Sequence, residues 1–249
     1  MPFLVVLGGG ESGVGTAILG KQKGFTVFVS DAGPIKSKYK EVLEHFDIEW
    51  ESEGHSEERV LKADVVMKSP GIPDKVALVQ KLQANNIPVI SEMEFAGQFS
   101  EANTIGITGS NGKTTTTMLT YHLLKEAGVD VGVAGNIGDS YAKMVAEQSF
   151  EHMVLEISSF QLDGIFKFKP HVAIITNITP DHLDRYEYQF DKYIASKLSI
   201  AKNQTEEDYL IYDVDDEAIA EGLKAHPIQS KKIPFSIKQK LTEGAWLEN

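Results

Sequence analysis

A glycine-rich stretch, Thr108-Gly109-Ser110-Asn111-Gly112-Lys113-Thr114-Thr115, joins an apolar run to a stretch with helical periodicity. A turn from a strand into a helix is where backbone amides and a helix N-terminus hold phosphate groups. In such a loop we expect Lys113 to neutralise the β and γ phosphate oxygens and Thr114 to place its hydroxyl on Mg²⁺. The strict phosphate-loop pattern fails, because Ile107 stands where its first glycine belongs. The stretch predicts a nucleoside triphosphate site, and the alternative is a structural turn with a chance lysine.

Outward from this stretch, short apolar runs alternate with helical ones, and Gly, Pro, Asn or Asp stands at most junctions. This alternation is typical of parallel sheets wrapped by helices, so we predict an α/β protein with two domains. The first, residues 1–95, is expected to be a Rossmann-like parallel-sheet domain, and the second, residues 96–249, a P-loop-type ATPase domain. The predicted strands are 3–7, 26–30, 64–68, 88–90, 104–108, 153–157, 172–176 and 209–212, and the predicted helices are 13–23, 74–85, 113–127 and 190–203.

Composition excludes several classes of protein. A formal net charge of −12 opposes non-specific binding to nucleic acid or anionic membranes, so any phosphate site must be local. The absence of cysteine excludes disulfides and thiolate metal sites. The N-terminus lacks the basic segment of a signal peptide, and no apolar run approaches the roughly 18 residues that span a bilayer. We therefore expect a cytoplasmic protein that neither binds nucleic acid nor inserts into a membrane.

A second glycine-rich turn follows the first predicted strand. Gly8, Gly10 and Gly13 fit the pattern G-x-G-x-x-G, and Asp31 ends the next strand, where a ribose-binding carboxylate would stand. The literal interpretation is NAD or FAD binding. Glycines and a helix N-terminus hold any diphosphate equally well, a UDP-sugar included. The residues alone leave three alternatives open: a dinucleotide, another nucleoside diphosphate, or a structural tight turn.

Polar groups follow two later strands at the edge where open α/β sheets bind ligands. Glu156 closes one strand, and His182 lies in an acidic loop after the next, so the two could share a cation. The alternatives are a solvated strand end and a surface histidine. Lys197 stands beside a buried helical stripe, and an ammonium there would be repelled by Mg²⁺. Position alone therefore favours a surface lysine with an extended alkyl chain.

Three stretches together resemble the Mur ligase family, whose ATP-dependent members build the bacterial cell-wall precursor. They are Thr108 to Thr115, Glu156-Ile-Ser-Ser-Phe-Gln-Leu-Asp163 and Asn177-Ile-Thr-Pro-Asp-His-Leu-Asp-Arg-Tyr186. The family's loop begins Thr-Gly, which accounts for the failed literal pattern. The second stretch, with Ser69-Pro-Gly-Ile72 and Ser91-Glu-Met-Glu94, resembles the member that adds D-glutamate to UDP-N-acetylmuramoyl-L-alanine through an acyl phosphate. The resemblance covers the whole chain.

The resemblance implies a role for each matching residue. In the first domain it implies that UDP, and not NAD, contacts Ser12, Gly13, Asp31, Ser69, Pro70 and Gly71. In the second it implies ATP on Gly109, Ser110, Asn111, Gly112, Lys113, Thr114 and Thr115, and substrate contacts from Asn136, Ser158 and Gln161. The resemblance also implies catalytic roles for Lys113, His182 and Lys197. It implies that two Mg²⁺ ions are bound by Thr114, Glu156, His182 and Lys197. The resemblance further implies that Lys197 is carbamylated. The carbamate is an anion that a divalent cation favours, so the repulsion between the Lys197 ammonium and Mg²⁺ would no longer exist.

The sequence departs from the family in two ways. Ala32 and Gly33 follow Asp31 where some members offer hydroxyl or guanidinium groups, so uracil recognition must differ in detail. The chain also ends at Asn249, before the family's C-terminal domain that binds the amino acid. We therefore expect a monomeric fragment that is inactive alone. The alternatives are a sibling ligase that adds a different amino acid or acts on folate, and a nucleotide-binding module without turnover.

Overall fold

The computed structural model describes residues 1–248, which form two compact units. The first unit contains residues 1–100, 139–149 and 164–166, and the remaining residues form the second. Each unit is built on one sheet of parallel strands, which confirms the predicted α/β class. The division of the protein into domains 1–95 and 96–249 stays a prediction. No helix within residues 1–248 has both the length and the apolar character needed to cross a bilayer.

Twelve strands and ten α-helices make up the described chain. The strands are β1 (Phe3–Leu7), β2 (Thr26–Ser30), β3 (Glu49–Glu51), β4 (Val65–Lys68), β5 (Val89–Ile90), β6 (Asn103–Thr108), β7 (Val131–Gly135), β8 (His152–Glu156), β9 (Val172–Ile175), β10 (Tyr209–Asp213), β11 (Lys231–Ser236) and β12 (Ala245–Trp246). The helices are α1 (Glu11–Gln22), α2 (Ser37–His45), α3 (Glu57–Val60), α4 (Ala77–Ala84), α5 (Glu92–Gly97), α6 (Lys113–Glu126), α7 (Tyr141–Glu147), α8 (Ser159–Leu162), α9 (Phe190–Leu198) and α10 (Glu217–Ala225).

The sheet of the first unit has the strand order β3-β2-β1-β4-β5. The central strand β1 pairs with β2 and β4 and is buried from Leu4 to Leu7, as expected for a strand covered by helices on both faces. The turn from β1 into α1 is tight, because a Cβ on Gly13 would lie 1.9 Å from the carbonyl oxygen of Gly8. Any larger residue at position 13 would push α1 away from the strand.

The sheet of the second unit has the order β12-β11-β10-β9-β6-β8-β7. Strand β6 therefore lies between β9 and β8, although neither follows it directly in sequence. The carboxyl ends of these three strands meet at one edge. They carry Thr108, Glu156 and Ile175, and this edge is where an open α/β sheet places its ligand.

Several element boundaries differ from the predicted ones. The helix predicted over 74–85 begins at Ala77, because Val76 is in an extended conformation with ψ 132°. The helix predicted over 190–203 ends at Leu198 and continues as a 3₁₀ turn, Ser199–Ala201. The sequence analysis did not predict β3, β7, β11, β12, α2, α3, α5, α7, α8 and α10, most of which have seven residues or fewer.

A buried carboxylate anchors α7 within the first unit. Glu92, in α5, is 1% exposed, and its Oε1 accepts a hydrogen bond from the backbone nitrogen of Ala142 at 2.9 Å. Its Oε2 has no hydrogen-bond partner within the described chain. Burial raises the pKa of Glu92 to about 7, although hydrogen bonds from the start of α7 act in the opposite direction. The carboxyl group therefore changes charge near neutral pH.

This buried group should make stability depend on pH. Between its ordinary pKa of 4.5 and about 7, the folded state holds a proton that the unfolded state releases, so the free energy of unfolding should fall as the pH rises. The loss should reach on the order of 3 kcal/mol by pH 8. Glu92→Gln keeps an oxygen for Ala142 and should lack this fall. Urea unfolding of both proteins at pH 5 and pH 8 tests it, and equal pH dependence in the two would contradict it.

Candidate nucleotide-binding site

The glycine-rich loop after β6 depends on two glycines. Gly109 has φ +152°, and a Cβ there would lie 1.9 Å from Thr176 Oγ1. Gly112 has φ +81° and precedes the first residue of α6. Both positions require the conformational freedom of glycine. The loop thereby brings its backbone to the N-terminus of a 14-residue helix, whose first amides have no partners in the helix.

The segment that follows β9 holds this loop in place. Asn177 Oδ1 accepts from the Asn111 backbone nitrogen at 2.9 Å, and Asn177 Nδ2 donates to the Asn111 carbonyl oxygen, also at 2.9 Å. Thr176 Oγ1 donates to the same carbonyl oxygen at 2.7 Å. Ser110 Oγ donates to the Thr179 carbonyl oxygen at 2.9 Å. The loop is therefore preorganised, and Thr176 and Asn177, which hold it, had no assigned role in the sequence analysis.

Two lysines share one carbonyl oxygen beneath the loop. Lys113 Nζ donates to the carbonyl oxygens of Gly109 at 2.9 Å and Ser110 at 3.0 Å. Lys197 Nζ donates to the same Gly109 oxygen at 2.8 Å and to Thr108 Oγ1 at 3.3 Å. No carboxylate forms an ion pair with either lysine within residues 1–248. The arrangement concentrates positive charge under a loop whose backbone amides also attract anions.

The structure corrects the interpretation of Lys197 as a surface residue. Its side chain is only 2% exposed, because α9 packs its buried face toward the end of β6. Burial, and after it the nearby charge of Lys113, lower the pKa of Lys197 to about 7. The lowered pKa favours the neutral amine more than an exposed lysine does.

A group of oxygen ligands lies where β8 ends and α6 begins. Glu156 is 1% exposed, and its Oε2 accepts from Thr114 Oγ1 at 2.7 Å. Its Oε1 accepts from Asn136 Nδ2 at 2.7 Å. A carboxylate beside a hydroxyl fits Mg²⁺, which binds oxygen and keeps several of its waters. Residues 1–248 contain no cluster of three or more His, Asp or Glu side chains arranged for a metal.

His182 is not part of this hydrogen-bonded group. Its side chain is 56% exposed, and its Nε2 lies 3.5 Å from Asp181 Oδ2. The imidazole packs on Phe160 with 5.2 Å between ring centroids. No hydrogen bond joins it to Glu156 within the described residues, so a cation shared by the two stays a prediction.

Ser158 and Gln161 form the capping box that begins α8. Gln161 Oε1 accepts from the Ser158 backbone nitrogen at 3.0 Å, and Ser158 Oγ accepts from the Gln161 backbone nitrogen at 3.3 Å. The two side chains fix this helix next to the strand end that carries Glu156. Their contact with a substrate stays a prediction.

The first unit arranges its own glycine turn around Asp31. Asp31 Oδ2 accepts from the Gly9 backbone nitrogen at 2.7 Å, and Oδ1 accepts from the Gly33 backbone nitrogen at 2.8 Å. Ser69 Oγ is buried, has no hydrogen-bond partner within residues 1–248, and lies 2.5 Å from the Cβ position of Gly8. Asp31 therefore shapes the turn through the backbone. Contacts of a nucleotide with Ser12, Gly13, Asp31 and the segment 69–71 stay predictions.

A loop of this kind, at the end of an inner strand and followed by a lysine and a threonine on a helix, defines the P-loop class of nucleotide-binding proteins. The model of the Mur ligase middle domain matches residues 107–248, and that of the MurD N-terminal domain matches residues 4–77. The chain therefore belongs to the Mur ligase family, which confirms the resemblance seen in its sequence. Enzymes of this family are ATP-dependent and use Mg²⁺.

Individual relatives agree with this assignment. The UDP-N-acetylmuramoylalanine--D-glutamate ligase of Christiangramia forsetii is 63% identical over 99% of this chain and 55% of its own length. The enzyme of the same name from Bacteroides fragilis is 50% identical over 100% of this chain and 56% of its own length. The chain thus spans about half the length of these curated relatives. The fold is shared with a solved structure from Neisseria meningitides, the UDP-N-acetylmuramate:L-alanyl-gamma-D-glutamyl-meso-diaminopimelate ligase. The TM-score is 0.65 at 18% identity, and the match covers 98% of this chain and 82% of that one.

Asn177→Ala should weaken nucleotide binding by about tenfold, because it leaves the backbone N–H and C=O of Asn111 without these partners. Titration of an ATP analogue with Mg²⁺ measures the change. Asn203→Ala is the matched control, since Asn203 also donates to a backbone oxygen, that of Phe168, away from the loop. Equal affinity in wild type and Asn177→Ala would show that the loop keeps its shape without Asn177.

Proposed function

We propose that this chain forms the ATP-binding and UDP-binding parts of a ligase that joins D-glutamate to UDP-N-acetylmuramoyl-L-alanine in peptidoglycan precursor synthesis. The observation that carries the ATP site is the pair of lysines on the Gly109 carbonyl oxygen, beside the Thr114 and Glu156 oxygens. The choice of D-glutamate rests on the names of the relatives that match nearly the whole chain.

The proposed reaction has two steps. The alanyl carboxylate of the UDP-muramoyl substrate attacks the γ phosphorus of ATP, the bond to the bridging oxygen breaks, and ADP leaves. The amine of D-glutamate then attacks the acyl phosphate, inorganic phosphate leaves, and the nitrogen loses a proton. Catalysis of the first step is mainly positioning and neutralisation of charge, so it requires few acid or base groups.

The residues of the loop have distinct tasks in this scheme. Lys113 exchanges its contacts with two backbone carbonyls for contacts with phosphate oxygens, since a triphosphate offers it full negative charges. Thr114 and Glu156 would hold Mg²⁺, which supplies positive charge to the transferring phosphoryl group. Asn136 fixes the orientation of the Glu156 carboxylate.

Lys197 is proposed to react with CO₂ and form a carbamate. The neutral amine nitrogen attacks the carbon of CO₂ and then releases a proton. The product is a negatively charged carbamate at a position where the ammonium form of the lysine would be positive. The lowered pKa of Lys197 supports this step, because only the neutral amine is a nucleophile. The carbamate also ends the repulsion between the two lysines at Gly109 and would help to hold a second Mg²⁺. His182 would also act as a ligand of the bound Mg²⁺.

The first unit is proposed to hold the UDP of the muramoyl substrate at its glycine turn. The match of residues 4–77 to the MurD N-terminal domain supports UDP over NAD. Ser69, with its buried and unsatisfied hydroxyl beside Gly8, is positioned to meet a diphosphate at this turn. The monomeric state and the cytoplasmic location remain predictions.

The proposed function predicts which substrates drive phosphate release. The full-length protein containing this chain should release phosphate from ATP only with both UDP-N-acetylmuramoyl-L-alanine and D-glutamate present. Lys113→Ala should lose this activity, because backbone amides alone would hold the triphosphate. Lys125→Ala, at the exposed end of the same helix, should keep it. Release driven by another amino acid, or by a folate substrate, would identify a sibling ligase, and no release with any substrate would leave only a binding module.

The carbamate predicts a pH-dependent carbon-13 signal. Full-length protein in labelled bicarbonate with Mg²⁺ should show a carbamate resonance at pH 8 that declines toward pH 6, because the ammonium form of Lys197 increases below its pKa of about 7. Lys197→Ala should lose the resonance and most activity, and short carboxylic acids should partly restore the activity. Lys192→Ala, on the same helix and paired with Glu187, is the control. An active enzyme without the resonance would refute the carbamate.

A further inference from the structure

One carboxylate of the second unit holds the neighbours of two proposed metal ligands. Asp163, directly after α8, accepts a hydrogen bond from Ser196 Oγ at 2.6 Å with its Oδ1 and from Tyr186 Oη at 3.0 Å with its Oδ2. Ser196 directly precedes Lys197 in α9. Tyr186 ends the 3₁₀ turn that follows His182. The proposed function gives no role to Asp163, Tyr186 or Ser196.

The protons of both hydroxyl groups are given to this carboxylate. Tyr186 is 7% exposed, and burial first and the charge of Asp163 second raise the pKa of its hydroxyl, which therefore stays protonated. Ser196 Oγ also lies 3.2 Å from the Ser159 carbonyl oxygen, but the carboxylate oxygen is closer to its single proton. Asp163 therefore joins the end of α8 to the 3₁₀ turn and to α9.

The backbone of the 3₁₀ turn depends on an anchor of this kind. The turn begins after His182 at φ 48° and ends before Glu187 at φ 56°, and Tyr188 follows at φ 58°. A left-handed backbone costs free energy for residues that have a Cβ atom, so this segment does not hold its conformation by itself. Tyr186 is the buried residue of the turn. Its hydrogen bond to Asp163 therefore stabilises the strained backbone that carries His182.

Aromatic contacts connect the same turn to Lys197. The ring of Tyr186 packs edge-on against Tyr193 of α9, with 5.4 Å between the ring centroids. Tyr193 is 1% exposed, and Lys197 Nζ lies 5.2 Å from the centroid of its ring. The 3₁₀ turn and α9 therefore pack against each other, and the location of Lys197 depends on both.

We propose that Asp163 is a positioning residue for the phosphoryl-transfer step. Its hydrogen bond with Tyr186 orients His182, and its hydrogen bond with Ser196 orients Lys197. This inference rests on the ligase reaction and the metal ligands proposed above, and it needs no contact of Asp163 with substrate or metal. Asp163 is itself exposed, so its substitution leaves no cavity in the core.

The test measures steady-state kinetics of the full-length protein with UDP-N-acetylmuramoyl-L-alanine, D-glutamate, ATP and Mg²⁺. Asp163→Ala should lower kcat by about tenfold or more, because a small displacement at the reacting centre costs much of the rate. KM for ATP should change by less than about twofold, since Thr176 and Asn177 still hold the loop. The carbon-13 carbamate resonance should weaken as well, and this readout does not depend on turnover.

Three further variants separate the two hydrogen bonds. Asp163→Asn keeps the size of the side chain but has a single acceptor oxygen, so it should give a smaller loss of kcat. Tyr186→Phe and Ser196→Ala each remove one hydroxyl and should also lower kcat. Combined with Asp163→Ala, neither should lower kcat much further, because the partner is already absent.

Asp208→Asn is the matched control for a loss of stability. Asp208 is buried and accepts hydrogen bonds from Thr205 and Lys169. It precedes β10, so it lies at the opposite edge of the sheet from the nucleotide loop. This variant should lower the unfolding temperature and leave kcat unchanged.

Several outcomes would overturn the inference. An unchanged kcat in both Asp163→Ala and Asp163→Asn would remove Asp163 from the reaction. An equal loss of kcat in Asp208→Asn would show that Asp163 only supports the fold. Additive losses in the double variants would show that it does not act through Tyr186 and Ser196. A wild-type protein without phosphate release and without a carbamate resonance would instead refute the proposed function.

Discussion

The second unit is organised around a single carbonyl oxygen that receives two lysine ammonium groups. Two ammonium groups held at one oxygen repel each other, and more strongly where water is excluded. Folding alone leaves this repulsion at Gly109, where no carboxylate of the described residues forms an ion pair with either lysine. Two changes relieve it: Lys197 loses its charge, or a polyanion binds above the loop. The pKa of Lys197 is lowered mainly by burial and in second place by the charge of Lys113.

The surrounding structure follows from the need to hold these charges at one place. Gly109 must be glycine because Thr176 approaches its Cβ position, and this approach exists because β9 lies beside β6. Asn177 then fixes the loop backbone, so the amides are already oriented when a phosphate arrives. Glu156 and Thr114 place oxygens at the start of α6. The site thus has both positive and negative groups, which suits a ligand that combines a triphosphate with a divalent cation.

The sequence predicted those parts of the structure that depend on neighbouring residues. The loop from Thr108 to Thr115, its strand and its helix are local, and Glu156 was placed correctly at a strand end. The burial of Lys197 was missed, because it depends on which face of α9 meets the end of β6. The role of Asn177 required knowing that β6 lies between β9 and β8, an order that the sequence does not contain. The strand β3, which pairs with β2, was missed because its three residues are too few and too polar to be recognised.

The most direct test of the nucleotide site is a crystal structure of the protein with Mg²⁺ and a non-hydrolysable ATP analogue. The account predicts that Lys113 Nζ leaves the carbonyl oxygens of Gly109 and Ser110 and binds phosphate oxygens. Thr114 Oγ1 should leave Glu156, with the metal ion between the two. A nucleotide bound elsewhere, with Lys113 still on its two carbonyls and Thr114 still on Glu156, would contradict it.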